Sequence, residues 1–134
     1  MKKIILLLTV LAVILMIFFL AGCAQEDTMS IKDRIGEFVS DLNSSNRDSI
    51  FKDNFHSDSD VHDTGGRDTI NAAFPPEEKP YSSSISGSGL TRTVSITASG
   101  DGTTTGDYTF TMREEDSDDW YILRITVPGG LDLK

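Results

Sequence analysis

The stretch Leu90-Thr91-Arg92-Thr93-Val94-Ser95-Ile96-Thr97-Ala98 sets Leu90, Val94, Ile96 and Ala98 on one face and Thr91, Thr93, Ser95 and Thr97 on the other. A period of two is that of a β-strand with one face buried and one face wet. The pattern returns in Tyr108, Phe110 and Met112, which alternate with Thr109, Thr111 and Arg113. It returns again in Tyr121, Leu123, Ile125 and Val127. Around Tyr81 a shorter, serine-rich run is set off by Gly87-Ser88-Gly89. With Ser99-Gly100-Asp101-Gly102 and the acidic run 114–119 as turns, the spacing predicts a meander of about four antiparallel strands. Such a sheet has one apolar face, and something must cover it.

The cover lies upstream. Ile31, Ile35, Phe38, Val39 and Leu42 recur at the spacing of one helical stripe, and Ser30 with Asp33 three residues on is a capping pair for its start. Asn43-Ser44-Ser45 breaks that helix. Asn46 can cap a second, shorter one that buries Ile50, Phe51 and Phe55, so the two form a helical hairpin. Residues 67–74 suit a third short helix, stopped by Pro75-Pro76. A short extended piece is expected near residues 60–62. The expected fold class is therefore α+β: an N-terminal helical hairpin plus a short third helix packed on a curved antiparallel sheet.

Composition bounds what such a domain can do. The chain has 134 residues, 12 basic and 21 acidic, and a single cysteine, which leaves room for one domain and excludes a disulfide-stapled scaffold. Nineteen of the apolar residues fall in the first 23 positions, so the remainder is lean. Without Lys2 and Lys3 the balance is 10 basic to 21 acidic, a charge of −11, which repels nucleic acid and excludes a polybasic membrane role.

The first 23 residues read as an export leader: Lys2 and Lys3, an apolar run over 4–20 broken only by Thr9, then Leu20-Ala21-Gly22-Cys23. Those last four residues resemble the bacterial lipobox at every position. The resemblance covers the leader alone. It implies a diacylglyceryl thioether on Cys23, cleavage before it, and usually acylation of the new amino group. It divides the chain into a signal peptide at 1–22, a lipidated cysteine and tether at 23–29, and a single domain at 30–134. Two or three acyl chains hold durably where one would be marginal. Cys23 has no internal partner, and in an exported chain modification accounts for it. Ala24 stands where resembling lipoproteins of the inner membrane carry Asp. About six residues separate Cys23 from Ser30, a reach of about 20 Å, so the domain is expected close to the bilayer surface. The competing reading is an uncleaved signal anchor on an envelope accessory protein.

The order of elements over residues 30–127 resembles the nuclear transport factor 2-like fold, a conical sheet curled around an N-terminal helix. The ending Asp119-Trp120-Tyr121-Ile122-Leu123 is similar to that of many secreted members. The resemblance is one of element order. Enzymes of that fold, such as ketosteroid isomerase and scytalone dehydratase, place Asp, Tyr or His pairs inside the cone. Nothing here matches those patterns residue by residue, so no catalytic residue follows from it and no cofactor is expected. His56, Tyr81, Tyr108, Trp120 and Arg124 are the side chains suited to lining a pocket, each with an ordinary structural alternative.

Two further groups carry potential chemistry. His56, Asp58, Asp60, His62 and Asp63 are the densest set of metal-ligating types, and an extended segment would turn Asp58, Asp60 and His62 to one side. Their spacing departs from an EF-hand, and a solvated loop is the simpler reading. Asp63-Thr64-Gly65 matches the aspartic-protease tripeptide but lacks the apolar strand before it. The expectation is a membrane-tethered, non-catalytic module whose outer face takes a partner protein of the envelope or a small apolar ligand. The alternative is a small isomerase- or dehydratase-like enzyme with His56 or a buried carboxylate as general base.

Overall fold

Ser30 opens the first helix as expected: its Oγ accepts the Asp33 N–H at 3.2 Å and donates to Asp33 Oδ2 at 2.6 Å. In the computed structural model, which describes residues 28–48, 50–62, 66–99, 104–130 and 132–133, this helix is α1, Ile31–Asn43. Its stripe of Ile35, Phe38, Val39 and Leu42 is buried to the last residue. Asn43 ends it by leaving the helix pattern: its side chain donates to Tyr81 O at 2.8 Å and accepts Tyr81 N–H at 2.6 Å, tying the helix end to the start of the sheet.

Asn46 Oδ1 accepts the Asp48 N–H at 3.1 Å, and a single turn, α2 (Ile50–Asp53), follows. The hairpin is thus one long arm and one short. Residues expected to be extended, Asp60–His62, form a 3₁₀ turn closed by His62 N–H on Ser59 O. The extended contact falls earlier, where Phe55 makes a one-residue parallel bridge to Ile122. α3, Gly66–Ala73, begins against that 3₁₀ turn. A Cβ on Gly66 would lie 1.7 Å from Val61 O, so only glycine lets the two approach. Pro75 and Pro76 end the helix, and a 3₁₀ turn over Pro76–Glu78 leads into the sheet.

The sheet has five antiparallel strands in sequence order, one more than the four expected: β1 Tyr81–Ser86, β2 Thr91–Ala98, β3 Gly106–Asp116, β4 Asp119–Thr126 and β5 Asp132–Leu133. β5 exists because Gly129 and Gly130, at φ of 102° and 89°, reverse the chain after Pro128 and return Leu133 beside Ile125. Two residues carry no periodicity, and nothing short of the fold reveals them.

Two apolar positions also differ from the sequence reading. Leu90 precedes β2 in the turn and is 56% exposed, while Val94, Ile96 and Ala98 are buried. In β4 the buried residues are Ile122 and Ile125, with Trp120 and Val127 packed beside them, instead of Tyr121 and Leu123. The cause is a bulge: Thr111 faces Arg124 while Met112 faces Ile122, so Leu123 is an extra residue and the inward phase changes at it.

α1 lies across the inner face of this sheet. The Phe38 ring is the centre of the core, meeting Phe55, Phe74 and Phe110 edge-on at 5.8, 5.7 and 5.6 Å between centroids. The space between helix and sheet is filled by aromatic side chains. The outer edge of β4 is closed along its length: Met29 O and Arg34 Nε take Trp120, Asn54 O and His56 N–H take Ile122, and β5 takes Ile125 and Thr126. The opposite edge is different. Tyr81 of β1 is held by Asn43, whereas the outward-pointing backbone groups of Ser83 and Ile85 have no partner among the described residues.

Candidate functional site

Where α3 ends, Ala72 and Ala73 are too small to reach the facing β4–β5 corner, and the gap they leave is a groove of about 440 Å³. Thr69, Ala72, Ala73 and Pro75 form one wall, Val127, Pro128 and Leu133 the other, and Thr104 and Tyr108 the floor. Apolar walls with few polar groups are the usual composition of a small-molecule site.

The floor holds the polar chemistry. Tyr108 OH donates to Thr104 O at 2.8 Å, and Tyr81 OH donates to Pro75 O at 2.6 Å. Thr104 is 4% exposed, and among the described residues its Oγ1 meets no hydrogen-bond partner in both distance and angle, while its nearness to the Tyr81 hydroxyl favours the ionised phenol. Burial pushes Tyr81 up, Thr104 and Arg47 pull it down, and Glu78 adds to the rise. Burial pushes Tyr108 up to about 12, with Tyr81 and Glu78 adding to it. At neutral pH both phenols are therefore hydrogen-bond donors with their protons engaged, and neither is a base. Among the described lining residues there is no carboxylate, imidazole or thiol.

Tyr81 and Tyr108 thus meet around Thr104, with the Phe74 ring 6.1 and 5.1 Å from theirs. The other three pocket candidates lie elsewhere. His56 is buried at the β4 edge, where its Nδ1 accepts the Asp58 N–H at 3.0 Å. Arg124 sits 3.7 Å from Asp132 and braces β5. Trp120 lines a second, shallower hollow of about 470 Å³ with Thr28, Ser30, Ile31, Lys32, Arg92 and Asp118. The five candidates do not share one cavity, because the space between α1 and the sheet is occupied by phenylalanine rings.

The metal-ligating types do not converge either. Among the described residues no three His, Cys, Asp or Glu side chains are grouped to hold an ion. The 3₁₀ turn at Asp60–His62 breaks the alternation that would have aligned them, and Asp58 is taken by Arg113 at 2.6 Å. Asp63, with the Asp63-Thr64-Gly65 tripeptide, lies outside the described residues, as do Cys23 and the lipobox residues Leu20, Ala21 and Gly22.

Two buried arginines escaped the sequence reading. Arg34 donates from Nε to Trp120 O at 2.8 Å, from Nη1 to Asp53 O and from Nη2 to Asp119 Oδ1 at 3.1 Å, and its guanidinium lies 4.2 Å over the Tyr121 ring. Its signal was a charge inside an apolar stripe, three residues after Ile31 and four before Phe38. Arg47 binds Leu42 O at 3.1 and 2.7 Å, Asn71 Oδ1 at 3.0 Å and Phe74 O, so one cation caps the ends of two helices. Burial pushes its guanidinium down, with Tyr81 and Glu77 pulling it back up. Thr104 gave no signal, being one of three consecutive threonines.

No helix among the described residues is long and apolar enough to cross a membrane. No protein-family model, curated protein or solved structure matches this chain.

Proposed function

We propose that this chain is a lipid-anchored, extracytoplasmic lipoprotein whose domain is a non-catalytic module for a small apolar ligand. The groove carries the reading. Its walls are largely alkyl and pyrrolidine-ring surface, and its floor offers a buried hydroxyl, Thr104 Oγ1, with no hydrogen-bond partner among the described residues. A buried hydroxyl left unbonded costs about 1–3 kcal/mol, which a ligand with one hydrogen-bonding atom relieves. Among the described lining residues there is no general base, which favours binding over isomerase- or dehydratase-type chemistry, and His56 is engaged with Asp58 away from the groove. The order of elements, with α1 laid across a meander, supports a nuclear transport factor 2-like architecture. The lipobox match, Leu20-Ala21-Gly22-Cys23, supports the anchor.

Photolabelling tests the groove. Membranes containing the full chain, exposed to a small uncharged aryl diazirine, are expected to give adducts in 69–75 and 127–133. Ala72→Phe, at an exposed position on the rim, should cut that labelling about tenfold and leave adducts elsewhere unchanged. Equal labelling of both proteins would sink the ligand reading. For the anchor, the intact mass of the native product should show cleavage before Cys23 and a diacylglyceryl adduct, and Cys23→Ser should accumulate the precursor.

A further inference from the structure

We infer that the end of the domain bearing Trp120 is a membrane-facing surface, on which the hollow at the start of α1 rests against the lipid headgroups. Three observations meet there. The first is the path of the chain: Thr28, the first described residue, forms part of the wall of the hollow. Only four residues separate it from Cys23, a reach of about 17 Å over five fully extended steps. An anchor at Cys23 therefore keeps this end of the domain within about 17 Å of the lipid surface.

The second is the kind of side chain found there. Trp120 is the only tryptophan of the chain and is half-buried in the hollow, one side packed on the core and the other turned outward. An indole with one apolar side and one polar N–H is the side chain that sits most readily at a membrane–water boundary. Leu90, in the adjoining turn, is the one large apolar side chain exposed among the described residues, at 56%. The carbonyl of its neighbour Gly89 takes Arg92, which lines the hollow. Nothing in the fold requires Leu90 to be apolar, since its contribution to the sheet is its carbonyl, bound by Met112 N–H at 2.8 Å.

The third is charge. In a chain of 21 acids and 12 bases, this hollow carries Lys32 and Arg92 against Asp118 alone. Two long basic side chains beside an indole can reach lipid phosphates while their stems cover apolar surface. The acidic end of β3 and its turn, residues 114–118, stand next to it, so the contact is with zwitterionic lipid through Trp120 and Leu90, and adding anionic lipid weakens it. The inference rests on the lipid-anchored reading above for its geometry.

Trp120 is its own reporter. The full chain is reconstituted in phosphatidylcholine vesicles, with and without bromine on the acyl chains near the carbonyl end. The expected result is quenching of Trp120 emission about twofold by the brominated lipid, with a blue-shifted maximum. Leu90→Asp, which is fold-neutral at an exposed turn, should return most of the emission while the melting temperature stays unchanged. Emission that is identical in brominated and plain vesicles overturns the inference, as does quenching that Leu90→Asp leaves untouched. Intact mass of the same sample reads the state of Cys23 separately. A chain retaining its apolar leader still floats with the vesicles and still tests the surface, whereas a chain that leaves the vesicles overturns surface and anchor together.

Discussion

Asp119 concentrates more of the molecule's polar bonding than any other carboxylate described. It accepts Arg34 Nη2 and Met29 N–H on Oδ1 and Tyr121 OH on Oδ2 at 2.9 Å, so the chain before α1 is bound to the start of β4 through one side chain. Burial pushes this carboxyl up, but the Tyr121, Met29 and Arg34 hydrogen bonds outweigh it and hold Asp119 below the ordinary carboxylate range. A carboxyl lowered in the folded state contributes stability above its unfolded value of about 4 and loses it as pH falls through the lower, folded value. Asp119→Asn is accordingly expected to cost about 1–2 kcal/mol at pH 7 by urea unfolding, with the gap to the parent chain closing as pH falls below the unfolded value and through the lower folded one. Tyr108 titrates at the other end of the scale. Its proton is held to about 12, so its share of stability is complete below the unfolded value of about 10 and is lost as pH rises towards 12. Tyr108→Phe should flatten the alkaline limb of a melting-temperature profile. The Asp119 network was illegible in the sequence because a hydrogen bond across 85 or 90 positions leaves no local spacing, and only the misplaced charge of Arg34 hinted at it.

Elements fared better, because their signals are local. Ser30, the α1 stripe and the Pro75-Pro76 stop read correctly, since capping, periodicity and a missing N–H each act within one or two turns. The α3 start at Gly66 and the phase of β4 did not, and both failures are instructive. Gly66 stands one residue ahead of the helix expected over 67–74, and its close approach to Val61 O is a tertiary fact. Leu123 and Tyr121 were assigned inward because alternation was counted straight through a bulge that only the register with β3 discloses. A pair of glycine substitutions separates the two kinds of glycine. Gly66→Ala should cost about 2–3 kcal/mol, because the new methyl has to displace backbone. Gly36→Ala, in the middle of α1 with nothing within 4 Å of an added Cβ, should gain about 0.5–1 kcal/mol. Denaturant midpoints of the two variants check both signs.

For the whole molecule, the fold class was legible and the site was not. Three separated runs of period two and one of helical period sufficed to place an α+β domain, since each pattern has few architectures that bury it. The groove lies between Ala72, Ala73, Pro128 and Leu133, residues that are unremarkable singly and adjacent only after β5 has folded back. The aromatic candidates divide between two places, Tyr81 and Tyr108 about Thr104 and Trp120 at the other hollow, because large rings serve a lean core first: with Phe38, Phe55, Phe74 and Phe110 all fully buried, the space under α1 is spent on packing.

The two margins of the sheet are unequal, and that has a bearing on which side of it could take a further strand. Among the described residues the sheet ends on one side in β1, whose outward backbone groups at Ser83 and Ile85 are unbonded, and on the other in the two-residue β5. The longer rim is the one a further strand would extend, and its run of serines keeps it polar.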